Sequence, residues 1–357
     1  MIIQETRAYK HLNVNVSLSR FRSSAGRTEW HAMLTLDANT ERSDTDQVKA
    51  LLDAQSLLTD QLGANVLFGR MMVKDGIGCA AENLSCIGQA PLDGTAAALW
   101  LWLEDKADNG CRHIFGSNYV ATVSDDGAPL SDSESQSRAL LVKYNNDLKD
   151  KGLNLADNCL RTWFFVRDID KNYHGLVVAR REYFDDNGLT RDTHYVASTG
   201  INGNPADCEA LVQLDTYTVS GLDLSRITYL KGSSHLNPTA EYGVTFERAT
   251  KVQFDDRNMI LISGTASIDN HGQILYPDDA QQQARRMLEN IEVLVNEGGA
   301  QMSDLMHGIV YLRNAADYMK VRNVIDSALP ALPKVYVLAP VCRPGWLVEM
   351  ECIAMTE

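Results

Sequence analysis

The sequence predicts an α+β protein of three tandem modules, each a sheet with helices packed on one face, associated around a common centre. The first observation behind this is residues 242–357, which read strand, strand, long helix, strand, short helix, strand. The second is that the chain contains that stretch more than once. Residues 136–170 lie on residues 283–317 without a gap, and residues 48–75 repeat helix, Gly-Ala turn and strand. The third is the closing strand of each copy: GTAAALWLWLED, EALVQLDTYTV and GWLVEMECIAM correspond. A period of roughly 110 residues is too long for a solenoid and fits three domain-like units. We divide the chain into modules at 1–108, 109–222 and 223–357.

Composition agrees with a globular protein. The chain has 357 residues, 45% apolar and 22% charged, enough to bury substantial cores. Its opening residues lack the apolar run of a signal peptide, and AAALWLWL is too short to span a bilayer, so the expectation is a soluble, cytoplasmic protein without a membrane partner. Seven cysteines without a CxxC pair, and no histidine at zinc-ligand spacing, predict reduced and mostly buried thiols, with neither metal nor cofactor. A net charge of −14 with no basic cluster excludes the positive footprint that nucleic acid requires.

In the first module, VNVSLSRF alternates as an edge strand does, WHAMLTL is the next strand, and ERSDTDQ supplies an N-cap to a long helix. Trp100 and Trp102 on the closing strand read as sheet surface or module interface, or else as a stacking platform. The second module opens near Cys111 with a strand. Its helix begins at SDSE, where Ser131 and Glu134 have capping-box spacing. LRTWFFVRDID is a strand that sends Arg161 and Trp163 to one face and Thr162 and Phe164 to the other. Residues 172–188 form a second helix, and HYVASTGINGNP a strand and turn whose Ser-Thr-Gly either makes the turn or offers N–H groups to an anion. Residues 222–238 read as a connection. In the third module Met287, Ile291, Leu294 and Val295 recur at helical spacing until Gly298-Gly299 stops the helix, and HGIVYLR resumes as a strand.

The chemistry lies among charged residues. Glu349 and Glu351 are two apart on the final strand and so share a face. At a module interface one of them would be desolvated and become a general acid near neutral pH; on an open sheet both would be solvated. Arg161, Arg180, Arg181 and Lys334 are the cations available to line a pocket, and Arg181 reads as surface.

These residues carry a resemblance. ISGTASI, the QARRMLENIEVLV helix, GAQMSDLMHGIVYLRNAADY and LVEMECIA resemble the Rid (YjgF) family of reactive-intermediate deaminases, whose homotrimers place ligand sites between subunits. The resemblance implies Rid/chorismate-mutase-like modules, each a mixed sheet with helices on one face, arranged as a single-chain pseudotrimer. Where Rid deaminases carry a carboxylate-gripping arginine, this chain has Lys334, a point charge in place of a guanidinium fork. Across modules two and three, RTW, ARREYF, ASTGI, EYGVTFERA, SGTASI and VCRPGWLVE resemble the chorismatases in order and spacing. That resemblance implies a cofactor-free enzyme that removes the enolpyruvyl group of chorismate. Glu349 would be the proton donor, with Glu351 beside it as a like charge. Arg161 and Arg180, with Thr199 and Gly200, would hold the substrate carboxylates, and Ala266 and Cys342 would sit where subfamilies differ in product. ASTGING departs from the expected ASTGIGG, the Ala266 and Cys342 pairing does not assign a product class, and module one resembles nothing closely. The partner implied is a small carboxylate-bearing substrate, and the internal repeats are compatible with a monomer. A Rid-type enamine or imine deaminase and a non-catalytic binding protein stand as alternatives.

Overall fold

The computed structural model of the chain describes residues 2–78, 84–108 and 110–357. It contains three mixed sheets in sequence, each with helices on one face. In the first, β1 (Ile2–Tyr9), β2 (Val14–Arg22), β3 (Thr28–Leu36), β4 (Asn65–Val73), β5 (Ser85–Gly88) and β6 (Ala97–Glu104) lie in the order β1-β2-β3-β6-β4-β5, with α1 (Asp44–Leu62) packed on β3 and β6. The second comprises β7 (Arg112–Tyr119), α2 (Ser133–Lys149), α3 (Leu155–Asn158), β8 (Cys159–Val166), α4 (Ile169–Asp186), β9 (Ala197–Asn202) and β10 (Val212–Ser220), with strand order β7-β10-β8-β9. The third comprises β11 (Ile227–Leu230), β12 (Ala249–Gln253), β13 (Asn258–Ala266), α5 (Ala280–Glu297), β14 (Leu305–Leu312), α6 (Tyr318–Ala328), β15 (Lys334–Leu338) and β16 (Val348–Thr356), in the order β11-β12-β13-β16-β14-β15. Each sheet has one parallel pair, β4 with β5, β8 with β9 and β14 with β15.

One side chain shows how literally the module is repeated. Gln283 near the start of α5 donates to the Gly345 carbonyl (2.9 Å) and accepts from the Leu347 amide (2.8 Å), tying helix to closing strand. Gln136 on α2 does the same with the Glu209 carbonyl (2.9 Å) and the Leu211 amide (2.7 Å). On α1, Gln47 accepts from the Ala96 amide at 2.8 Å. All three are buried, so each satisfies backbone groups that water does not reach.

Local expectations are corrected at four points. VNVSLSRF is an inner strand, because β1 pairs along its whole length and takes the edge. Residues 222–238 are not all connection, since β11 adds to β12. Asp132, not Ser131, caps α2, accepting from the Ser135 amide at 2.8 Å. Cys86 is disulfide-bonded, whereas Cys111, Cys159, Cys208, Cys342 and Cys352 are free thiols. Among the described residues no helix is long and apolar enough to cross a membrane.

The modules close into a ring. Backbone bridges join Gly88 to Asn204, Ala197 to Glu247, Ile201 to Val341, and Pro91 to Val337, so each sheet edge meets the next module. The interior is aromatic: Trp100, Trp102, Trp163, Phe68 and Tyr217 are buried there, which puts both tryptophans of β6 at the module interface. Strand register places three equivalent cross-strand pairs at one level, Arg70 opposite Trp100, Trp163 opposite Asp215, and Ile309 opposite Glu351. At that level Arg70 donates to Asp215 Oδ2 (3.1 Å) and to Glu351 Oε1 (3.3 Å), joining all three modules through one buried guanidinium. Nearby, His31 of the first module stacks on His307 of the third at 4.8 Å, both rings fully buried.

Candidate active site

The edge of the second sheet meets the third module along β9 and β13. β13 carries a bulge between Ile262 and Thr265, where its register with β16 shifts. Bulges turn backbone groups out of the ladder, and here the freed groups bind the neighbouring module. The Gly264 amide donates to Thr199 Oγ1 (3.0 Å), the Ser198 amide to Ser263 Oγ (2.9 Å), and Ser263 Oγ to the Glu247 carbonyl (2.6 Å). The Ser-Thr-Gly of β9 is thus strand rather than turn, and the Thr199 hydroxyl and Ser198 amide hold the bulge.

Beside this seam lies a cleft enclosing about 510 Å³ of atom-free space, its open mouth included. Glu349 of β16 lines it. Its carboxyl rests against Gly264, where a Cβ would stand 2.1 Å from Glu349 Oε1, so the bare backbone is what leaves room for the acid. Glu349 is 5% exposed, and among the described residues it makes no hydrogen bond or ion pair. Burial pushes its carboxyl up to about 8, the Glu351 carboxylate adds to the rise, and Arg161 and Arg248 oppose it. The group is therefore a protonated acid at neutral pH.

Three guanidiniums line the same cleft, those of Arg180, Arg248 and Arg343. Arg180 comes from α4 and donates to Ser198 Oγ at 3.4 Å. Arg248 is fixed on the Asn237 carbonyl by Nε (3.3 Å) and Nη2 (3.0 Å). Arg343 lies over the Trp346 ring at 5.3 Å. Ala266 faces Glu349 across the β13–β16 ladder, and burial with the nearby Glu349 charge pushes the Cys342 thiol up to about 12.

Comparison with known proteins gives this arrangement relatives. A family model described as endoribonuclease L-PSP matches residues 245–356. A RutC family protein of Pyrococcus abyssi (strain GE5 / Orsay) is 30% identical over 102 residues, which make up 28% of this chain and 80% of that protein. The chain belongs to the RutC family. Beyond that module, a chorismatase crystal structure superposes with a TM-score of 0.62 at 19% identity, covering 81% of this chain and 92% of its own. This RutC family member therefore has the chorismatase fold along most of its length. RidA from an Antarctic Psychrobacter is similar at 22% identity and a TM-score of 0.31, over 36% of this chain and 99% of its own.

In this RutC family member the cleft gathers Glu349, Arg180, Gly200, Ala266 and Cys342, all expected there from the sequence. Arg161 and Thr199 stand behind its wall: Arg161 Nη2 donates to Thr199 Oγ1 (2.5 Å) and to Glu351 Oε2 (2.9 Å). Glu351 is buried in ion pairs with Arg70 and Arg161 and accepts from Trp163 Nε1 at 2.9 Å. Lys334 is elsewhere. It borders a cleft between the third and first modules, where its ammonium pairs with Asp326 (3.1 Å) and donates to the Leu329 carbonyl (2.8 Å). Arg181 is exposed. Sequence reasoning did not single out Arg248, Arg343, Tyr173 or Arg70. Arg248 and Arg343 stood inside EYGVTFERA and VCRPGWLVE, whereas the alternation of β4 gives no sign that Arg70 faces inward unpaired by solvent.

Proposed function

We propose that this cleft removes the enolpyruvyl side chain of chorismate, with Glu349 as proton donor. The observation that carries the reading is a buried carboxyl, protonated at neutral pH, facing a space lined by three guanidiniums. An enol ether is hydrolysed by protonating its terminal carbon, which needs an acid whose pKa lies near the working pH. Glu349 gives its proton to the methylene carbon, which becomes a methyl group, and the ether carbon becomes an oxocarbenium ion. Water adds to that carbon and loses a proton, restoring Glu349. The hemiketal then breaks its bond to the ring oxygen, which leaves protonated, giving pyruvate and a dihydrodihydroxybenzoate.

Chorismate carries two carboxylates, and guanidiniums are the groups that hold carboxylates with two parallel bonds. Arg180, Arg248 and Arg343 serve this purpose, with Gly200 allowing the substrate to approach the backbone of β9. Arg161 acts one layer back, fixing Thr199 and thereby the Gly264 bulge that seats the acid. Chorismatase likeness of the fold over most of the chain supports the same reading.

The test is pyruvate release from chorismate by purified protein, coupled to lactate dehydrogenase, with Glu349→Gln as control. Turnover that disappears in the variant while chorismate binding persists supports the assignment. Absence of turnover and of binding by calorimetry in the native protein overturns it. The family match at residues 245–356 favours one other reading, an enamine deaminase, in which the same acid protonates an enamine carbon. Ammonia release from 2-aminoacrylate, with chorismate inert, would select it.

A further inference from the structure

Among the described residues the first module gives none to the wall of the Glu349 cleft, yet it sends one side chain to the adjoining carboxylate. Arg70 on β4 is fully buried. Its Nε and Nη2 donate to Asp215 Oδ2 at 3.3 and 3.1 Å, and its Nη1 donates to Glu351 Oε1 at 3.3 Å. The guanidinium carbon lies 4.8 Å from the Trp163 and Phe165 rings, so aromatic faces fix the cation where it stands. Glu351 receives two more donors, Arg161 Nη2 and Trp163 Nε1, each at 2.9 Å. Asp215 is completed by the Asn118 amide at 2.9 Å.

Glu349 and Glu351 project from one face of β16, and neighbouring carboxyls compete for a proton. What distinguishes them is their partners. Glu351 accepts from two guanidiniums and an indole, all of which favour a carboxylate, whereas Glu349 has no bonded partner among the described residues. We propose that Arg70, supplied by the first module, is a positioning residue for the acid: by holding Glu351 as a carboxylate it leaves the transferable proton on Glu349. This rests on reading Glu349 as the proton donor. The other groups facing the pair are Asp215 on β10, Arg161 on β8, Tyr173 and Arg180 on α4, Tyr311 on β14, Cys352 on β16, Arg248 before β12, and Cys342 and Arg343 before β16, while His307 on β14 faces Arg70 and Arg161. Arg70 and Arg161 are the cations seen bonded to Glu351 among the described residues.

The experiment reads the proton directly. The protein is labelled with ¹³C at glutamate side-chain carboxyls, and the Glu349 signal is assigned by its loss in Glu349→Gln and followed with pH. Arg70→Met is combined with Asp215→Asn so that no unpaired buried charge is created, and Trp163→Phe removes one neutral donor from Glu351. With a donor to Glu351 gone, the proton is shared between the two carboxyls and the Glu349 titration moves to lower pH. A shift of about one to three units is expected for the charged contact and a smaller one in the same direction for Trp163→Phe. Arg70→Lys, which keeps the charge, restores most of the native midpoint. If the paired variant does not fold, Trp163→Phe decides. A folded variant whose Glu349 titrates at the native midpoint overturns the proposal. Because the readout is a titration, a shifted midpoint without chorismate turnover would refute the proposed substrate and leave the role of Arg70 standing.

Discussion

At the scale of single residues, Glu349 and Gly264 form one device. Because the position of a Gly264 Cβ is already occupied by Glu349 Oε1, Gly264→Ala should turn the acid away from the cleft. Misplacement by about 1 Å costs on the order of a hundredfold in rate, and steady-state kinetics on the proposed substrate measures it, with KM expected to change less than kcat. The acid also predicts pH behaviour. Rate should fall above about pH 8 as Glu349 ionises, by about tenfold per unit. Folded Glu349 keeps its proton up to about 8, whereas the unfolded side chain loses it near 4.5, so the native state binds the extra proton between these values. Stability therefore declines as pH rises through that window and levels off above it. Glu349→Gln should remove the decline in urea midpoints measured from pH 5 to 9. The two-residue spacing of Glu349 and Glu351 was legible in the sequence as a shared face. That Glu351 is the one held in ion pairs was not, because the partners that decide it come from a strand more than 180 residues away in the chain.

At the scale of elements, α4 is what carries Arg180 and Tyr173 to the cleft, and its seat is set by α2. Gly175 makes this approach close: a Cβ there would stand 2.6 Å from the Glu134 amide and 2.3 Å from Ser133 Oγ. Gly175→Ala should lift α4 from α2 and displace Arg180. Overpacking of this kind costs about 1–3 kcal/mol, to be read as a lower urea midpoint together with a raised KM. The helices and strands themselves were largely legible, since Met287, Ile291 and Leu294 mark the buried face of α5 by spacing alone. What periodicity could not supply was lateral order. VNVSLSRF alternates whether it stands at an edge or one strand in, because alternation reports one covered face and says nothing of the strand beyond. Lys334 shows the same limit: its place at the start of β15 could be counted from the sequence, but not which of the two neighbouring modules β15 faces.

At the scale of the whole molecule, the three copies share a frame and have parted in chemistry. By strand register the counterparts of Glu349 are Ala98, opposite Met72, and Gln213, opposite Phe165, so the acid belongs to the third module alone. A ligand stoichiometry of one per chain by calorimetry follows. The frame carries its own pH dependence. Burial drives His31 down to about 3 from an ordinary 6.5, and His307 is lowered as well, so folded rings stay neutral while unfolded ones take up protons. Stability is full above 6.5 and falls as pH drops toward 3, by about 2 kcal/mol at pH 5 for His31, with His307 acting in the same direction. His31→Phe should flatten this acid limb of the unfolding curve. The threefold plan itself was visible in the repeated sequence, while the ring of bridges that closes it was not, since Pro91 and Val337 carry no mark of their meeting.

That ring has a kinetic meaning. In a trimer of separate chains the interfaces form by encounter, at a rate set by how often subunits collide, and dilution takes them apart. Here Gly88 finds Asn204, and Pro91 finds Val337, along one covalent thread, so closing the ring is unimolecular. The module interfaces that build the cleft are then as intact at nanomolar protein as at millimolar.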